Sequence, residues 1–113
     1  MKSIELFDYG TPADVCRCID IEPPGQPAAD EVTLSMLACP INPAELLIFE
    51  GKYASKPDLP YQPGIEGVGE ITAVGESVSG LAVGDRVISL GRQNWLESLN
   101  LCLLYTSPSP RDS

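Results

Sequence analysis

Histidine is absent from all 113 residues. The commonest general base and the commonest metal ligand are therefore both missing, and chemistry must rest on other side chains. Tyr53 is one candidate. A phenol of pKa about 10 stays protonated at neutral pH and can donate to an oxygen, although the same residue also reads as a loop aromatic covering a helix. Asn42 has the position of a helix N-cap. Glu66 reads as a strand carboxylate within reach of Arg86 or Arg92. Trp95 reads first as core packing. Cys16 and Cys18 lie on one face of an extended run. Cysteines two apart are poor disulfide partners, and with no third or fourth ligand nearby they read as small buried residues. Gly64, Gly67 and Gly69 reverse the spacing of a dinucleotide-binding glycine turn and continue into strand, so no phosphate cradle is expected there.

These candidates need elements to hold them. Ser3 to Tyr9 is a short candidate strand closed by Gly10, Thr11 and Pro12. Ala13 to Glu22 alternates imperfectly, and Glu31 to Cys39 places Val32, Leu34, Met36 and Ala38 on one face. The turn residues Pro23 to Pro27 between them suggest an antiparallel hairpin of these two runs. Asn42 as N-cap, Pro43 as first helical residue, Glu45 at N3 and Gly51 after the last turn predict a helix of about nine residues with an apolar body of Leu46 to Phe49. A helix that short must dock on a sheet. Lys52 to Pro63 reads as an extended connection. Gly64 to Gly75 and Asp85 to Leu90 read as further strands. Short strands, frequent Gly and Pro and one short helix predict a mainly β fold, a partly open barrel with a helical insert.

Composition bounds the function. The length suits one domain. Sixteen acidic against seven basic residues give a net charge of −9, which argues against nucleic acid and anionic membranes as partners. No run reaches the roughly 18 apolar residues of a membrane span. No signal peptide is apparent near the N-terminus.

Residues 102–113 stand apart. Cys102 to Asp112 resembles one reading frame of a sequencing adapter, letter for letter over eleven residues. The segment is read as a disordered tail outside the natural protein, which then runs over residues 1–101 as a piece of a longer chain. The native cysteines fall to Cys16, Cys18 and Cys39, and an odd count without a secretion signal points to reduced thiols and a cytoplasmic location.

Three segments in order carry a family resemblance: INPAELLIFEGKY (41–53), PGIEGVGE (63–70) and VGESVSGLAVGDRV (74–87). Together they resemble the N-terminal, GroES-like catalytic domain of medium-chain dehydrogenases/reductases over residues 1–101. The resemblance implies a GroES-like, partly open barrel, truncated here, whose nicotinamide-binding Rossmann half lies outside the chain. Zinc-dependent members carry Cys-His-Ser/Thr-Asp where this chain has Asn42 to Glu45, and Gly-His-Glu where it has Gly64 to Glu66. Asn42 and Ile65 thus replace a thiolate and an imidazole, and a catalytic zinc needs about three such ligands. The chain is similar to zinc-independent members, with no metal expected.

Within that group, Gly51-Lys52-Tyr53 resembles the segment in which 2-enoyl thioester reductases carry a catalytic tyrosine. The resemblance implies NADPH as cofactor, Tyr53 acting at the thioester carbonyl, Asn42 near the nicotinamide or its ribose, and Glu66 and Trp95 at the substrate pocket. The expected activity is reduction of an activated C=C bond, as in an enoyl-CoA or acyl-carrier thioester, by a parent expected to be a homodimer. The isolated chain is expected to be inactive. The alternatives are a quinone or alkenal reductase of the same superfamily and, more remotely, a free-standing GroES-like co-chaperonin.

Overall fold

The computed structural model describes residues 1–53 and 56–108. The elements run β1 (Lys2–Leu6), α1 (Pro12–Val15), β2 (Cys16–Asp20), β3 (Glu31–Ala38), α2 (Pro43–Phe49), β4 (Gly67–Val74), β5 (Arg86–Ser89), β6 (Ser98–Cys102), a 3-10 turn (Leu103–Tyr105) and β7 (Thr106–Pro108). The mainly β, GroES-like architecture is as expected. All strand pairs are antiparallel, in a two-stranded sheet β1-β2 and a five-stranded sheet ordered β6-β3-β4-β5-β7.

Strand pairing corrects one expectation. The second and third strands do not form a hairpin with each other. β2 pairs with β1, with Leu6 opposite Cys16, while β3 is central in the larger sheet between β4 and β6. The stretch between β2 and β3 contains four prolines and glycines in a row of five (Pro23, Pro24, Gly25, Pro27), too irregular for a tight hairpin. One turn of helix, α1, replaces the expected start of the second strand, with Pro12 at its N-terminus.

The alternation of β3 is sound for its first half. Val32 and Leu34 are fully buried. Beyond them the β3–β4 register shifts between Met36 and Ala38, and Ala38 and Leu37 are both exposed. A bulge of this kind bends the strand and releases the inward face. The curled sheet encloses one core of Val32, Leu34, Ile71 and Val87. A second core, Leu6, Val15, Ile48 and Phe49, glues α2 to β1 and α1. This docking supplies the stability that a seven-residue helix lacks by itself.

After β6, Leu103–Tyr105 form the 3-10 turn and Thr106–Pro108 form β7. Leu103 N–H bonds Asp30 O at 2.8 Å and Leu90 N–H bonds Tyr105 O at 2.7 Å. The outer edge of β5 accepts β7; a sheet edge offers backbone groups to any extended segment that reaches it. Residues 109–113 of the expected tail lie outside the described residues.

Candidate active-site cleft

The helix start is built as the sequence predicts. Asn42 is the N-cap, Pro43 is the first helical residue, and Asn42 and Glu45 close a capping box. Glu45 is only 1% exposed. Its Oε2 accepts the Asn42 N–H at 3.1 Å, and its Oε1 accepts the Ile65 N–H at 2.9 Å. One carboxylate therefore ties the first turn of α2 to the segment entering β4. Asn42 Nδ2 in turn donates to Glu66 Oε1 at 3.2 Å, so two of the candidate site residues are direct partners.

Asn94 fastens the facing loop. It is completely buried. Its Nδ2 donates to Gly64 O at 3.0 Å and Gly91 O at 2.7 Å, and its Oδ1 accepts the Ser89 hydroxyl at 2.6 Å. Both donors and the acceptor of the amide are thus used. Its main-chain N–H bonds Gly64 O at 3.1 Å, and its carbonyl accepts the Cys39 thiol at 3.0 Å. Burial, and secondarily the Glu45 carboxylate, pushes the Cys39 thiol above its ordinary pKa. Sequence reading did not single out Asn94. Its signal was an asparagine three residues after a glycine in a turn, the type that bonds nearby backbone.

Gly64 sits where the two loops meet, with φ +119°. A Cβ there would lie 2.5 Å from Asn94 N and 2.6 Å from Trp95 N. Gly64 and its fellow glycines are spaced for protein packing, as the Cβ of Gly67 would meet Met36 and Cys39.

These contacts frame a cleft of about 690 Å³ whose lining includes Tyr53, Tyr61, Gln62, Arg92, Leu96 and Leu99. Of the four candidate site residues, only Tyr53 lines it. Asn42 and Glu66 lie together at the N-terminus of α2. Trp95 turns into the core, edge-on to Phe49 with ring centroids 5.6 Å apart, and its Nε1 is buried without a partner among the described residues. Two further residues line the cleft that the sequence reading did not place there. Arg92 is the one charged side chain among the described residues lining the cleft. Tyr61 is half-buried, and burial raises its phenol pKa; Arg92 acts to lower it and Glu45 to raise it.

Residues 28–105 match the model of the alcohol dehydrogenase GroES-like domain. The chain belongs to this family. Its relatives include the mitochondrial enoyl-[acyl-carrier-protein] reductase of Arabidopsis thaliana, 40% identical over 87 residues covering 77% of this chain and 23% of that protein. The quinone oxidoreductase of Rattus norvegicus is 39% identical over 87 residues, 77% of this chain and 26% of that protein. The structure of Escherichia coli quinone oxidoreductase complexed with NADPH superposes with a TM-score of 0.80 at 26% identity, over 98% of this chain and 34% of that one. A human synaptic vesicle membrane protein VAT-1 homolog-like protein gives 0.86 at 27% identity, over 99% and 35%. This GroES-like chain thus spans 23% and 26% of the two curated relatives, which are medium-chain oxidoreductases.

The donor set of the GroES-like domain does not fit a catalytic zinc. Ile65 offers a hydrocarbon side chain, its N–H is spent on Glu45, and the Asn42 amide is held by Glu66. A nicotinamide is different. Gly64, Gly67 and Gly69 pack closely against protein. Asn42 is half-exposed and, with one Nδ2 hydrogen on Glu66, retains a second donor, which fits the carboxamide or ribose end of a nicotinamide nucleotide. Among the described residues no helix is long and apolar enough to cross a membrane.

Proposed function

We propose that the full-length protein is an NADPH-dependent, zinc-independent reductase of an activated C=C bond, with an enoyl thioester as substrate. The observation that carries this reading is Tyr53 lining an apolar cleft in a domain that is 40% identical to an enoyl-[acyl-carrier-protein] reductase. The NADPH-bound quinone oxidoreductase structure supports the choice of cofactor. NADPH, when bound, supplies the hydride. Asn42, held by Glu66 and by the helix start, orients the nicotinamide end. Leu96 and Leu99 keep water from the acyl chain. Tyr53 presents its phenol hydroxyl to the reacting carbonyl or to the α-carbon, where a proton must arrive. Most of the cofactor site belongs to sequence outside residues 1–113, and the isolated chain is inactive in this reading.

Quinone reduction is the second reading, favoured by the rat relative. The deciding experiment measures NADPH oxidation by the full-length protein with crotonyl thioester and with a benzoquinone, in the wild type and in Tyr53→Phe. Enoyl turnover that drops about a hundredfold in the variant, the cost of losing one well-placed donor, supports the proposal. Unchanged enoyl turnover in Tyr53→Phe removes the tyrosine from the mechanism, and turnover confined to quinone selects the second reading. The four cysteines are all free thiols, in keeping with a reducing compartment. We assign the cytoplasm, with the mitochondrial matrix as the rival because the Arabidopsis thaliana relative carries that location in its name.

A further inference from the structure

We propose that Tyr61 and Arg92 together form the corner of the cleft that receives the negative oxygen of the reacting carbonyl, which leaves Tyr53 to deliver the proton. The inference rests on the reductase reading above and divides its labour among named side chains. Reduction of an α,β-unsaturated carbonyl adds a hydride at the β-carbon and a proton at the α-carbon. Between the two events the π electrons reside on the carbonyl oxygen as an enolate. That oxygen needs donors already aimed at it, in a place shielded from water.

Tyr61 is the sheltered donor, and Arg92, exposed at the rim of the same cleft, adds the positive charge. Tyr61 is fixed at its backbone, because its N–H bonds Leu6 O at 3.0 Å and its carbonyl accepts the Leu6 N–H at 2.7 Å. It is half-buried and packs on the core of Leu6, Val15, Ile48 and Phe49, and its desolvated phenol stays protonated as a donor. Arg92 lines the same cleft and is close enough to act on the Tyr61 phenol. It brings a positive charge into a chain whose net charge is −9. The loop that carries Arg92 is pinned on both sides, by Gly91 O and by Asn94 itself. Tyr53 is 40% exposed on the loop after α2, a position suited to exchange a proton with solvent between turnovers. Electrons and protons balance: the hydride enters at Cβ, the charge rests on oxygen against Arg92 and Tyr61, and the proton taken up at Cα from Tyr53 is replaced from water.

The test has two readouts in the full-length protein. The first is the ionisation of Tyr61, followed by NMR of ¹³Cζ-labelled tyrosine and assigned with Tyr61→Phe. Arg92→Gln is expected to move this ionisation to higher pH, and Arg92→Lys to restore part of the difference. The second is turnover of crotonyl thioester. Tyr61→Phe and Arg92→Gln are each expected to lower kcat about a hundredfold with KM changed far less, and the double variant to fall little below the worse single variant, because both act on one oxygen. A Tyr61 titration indifferent to Arg92→Gln overturns the pairing. Full kcat in both single variants overturns the catalytic role. A wild type that turns over only quinone, with the Tyr61 shift present, upholds the corner and overturns the enoyl substrate.

Discussion

Glu45 Oε1 accepts the Ile65 backbone N–H at 2.9 Å, joining the first turn of α2 to the position where zinc-dependent members carry a ligand histidine. The same carboxylate takes the Asn42 N–H, and it is sealed from solvent. Removing it strands two part-buried donors at once. Glu45→Ala is therefore predicted to lower stability by about 2–4 kcal/mol, at 1–3 kcal/mol for each unsatisfied group, and Glu45→Gln by less. The midpoint of urea unfolding at constant slope measures both; an Ala variant as stable as wild type refutes the linkage.

Gly64 and Gly80 make a controlled pair. Both have positive φ, which disfavours any L side chain. A Cβ at Gly80 meets nothing within 4 Å, whereas one at Gly64 collides with the backbone at Asn94 and Trp95. Gly80→Ala should cost about 1 kcal/mol, the conformational part alone. Gly64→Ala should leave the domain unfolded, seen as loss of native near-UV circular dichroism.

Asn94 offers a test of polar matching. Asn94→Ala abandons the Gly64 and Gly91 carbonyls and the Ser89 hydroxyl, at a predicted cost of about 2–4 kcal/mol. Asn94→Asp is nearly isosteric yet should be worse, since a carboxylate oxygen would face the two carbonyls that Nδ2 now serves. Thermal unfolding of the two variants ranks them, and an Asp variant more stable than Ala contradicts the hydrogen-bond assignment.

Burial raises the thiol pKa of Cys39 and of Cys16. A folded-state pKa above the unfolded one gives stability that is complete below the unfolded value and lost as pH rises through the folded one. Unfolding free energy should thus decline above about pH 8.5, and less steeply in Cys39→Ala. Urea midpoints at neutral and alkaline pH read the difference. Alkylation of the native protein should modify exposed Cys18 well before Cys39, by mass spectrometry after digestion.

The helix and the family pattern were legible in residues that act locally. Asn42, Pro43, Glu45 and Gly51 specify a start and a stop through their own backbone preferences, and each lies where expected. Pairing partners were not legible. β2 and β3 are neighbours in sequence, but their partners are chosen by which faces are buried, and β2 is largely exposed. β6 was missed because Ser98 to Cys102 alternates weakly, with every residue half-buried. In the cleft, Tyr53 was found through its motif. Arg92 and Tyr61 were not, because thirty residues of chain separate them and only the loop closure at Gly64 and Asn94 brings their segments together.

That closure has a consequence for how such a cleft diversifies. The Asn94 amide places both Nδ2 hydrogens on backbone carbonyls, one in each loop, and Gly64 leaves no space between them. The walls are consequently rivets rather than hinges. Substrate preference in this scaffold should drift through exchange of lining side chains such as Leu96 and Leu99, while insertions within residues 63–65 or 91–95 should be purged, because lengthening either loop alone unseats the other.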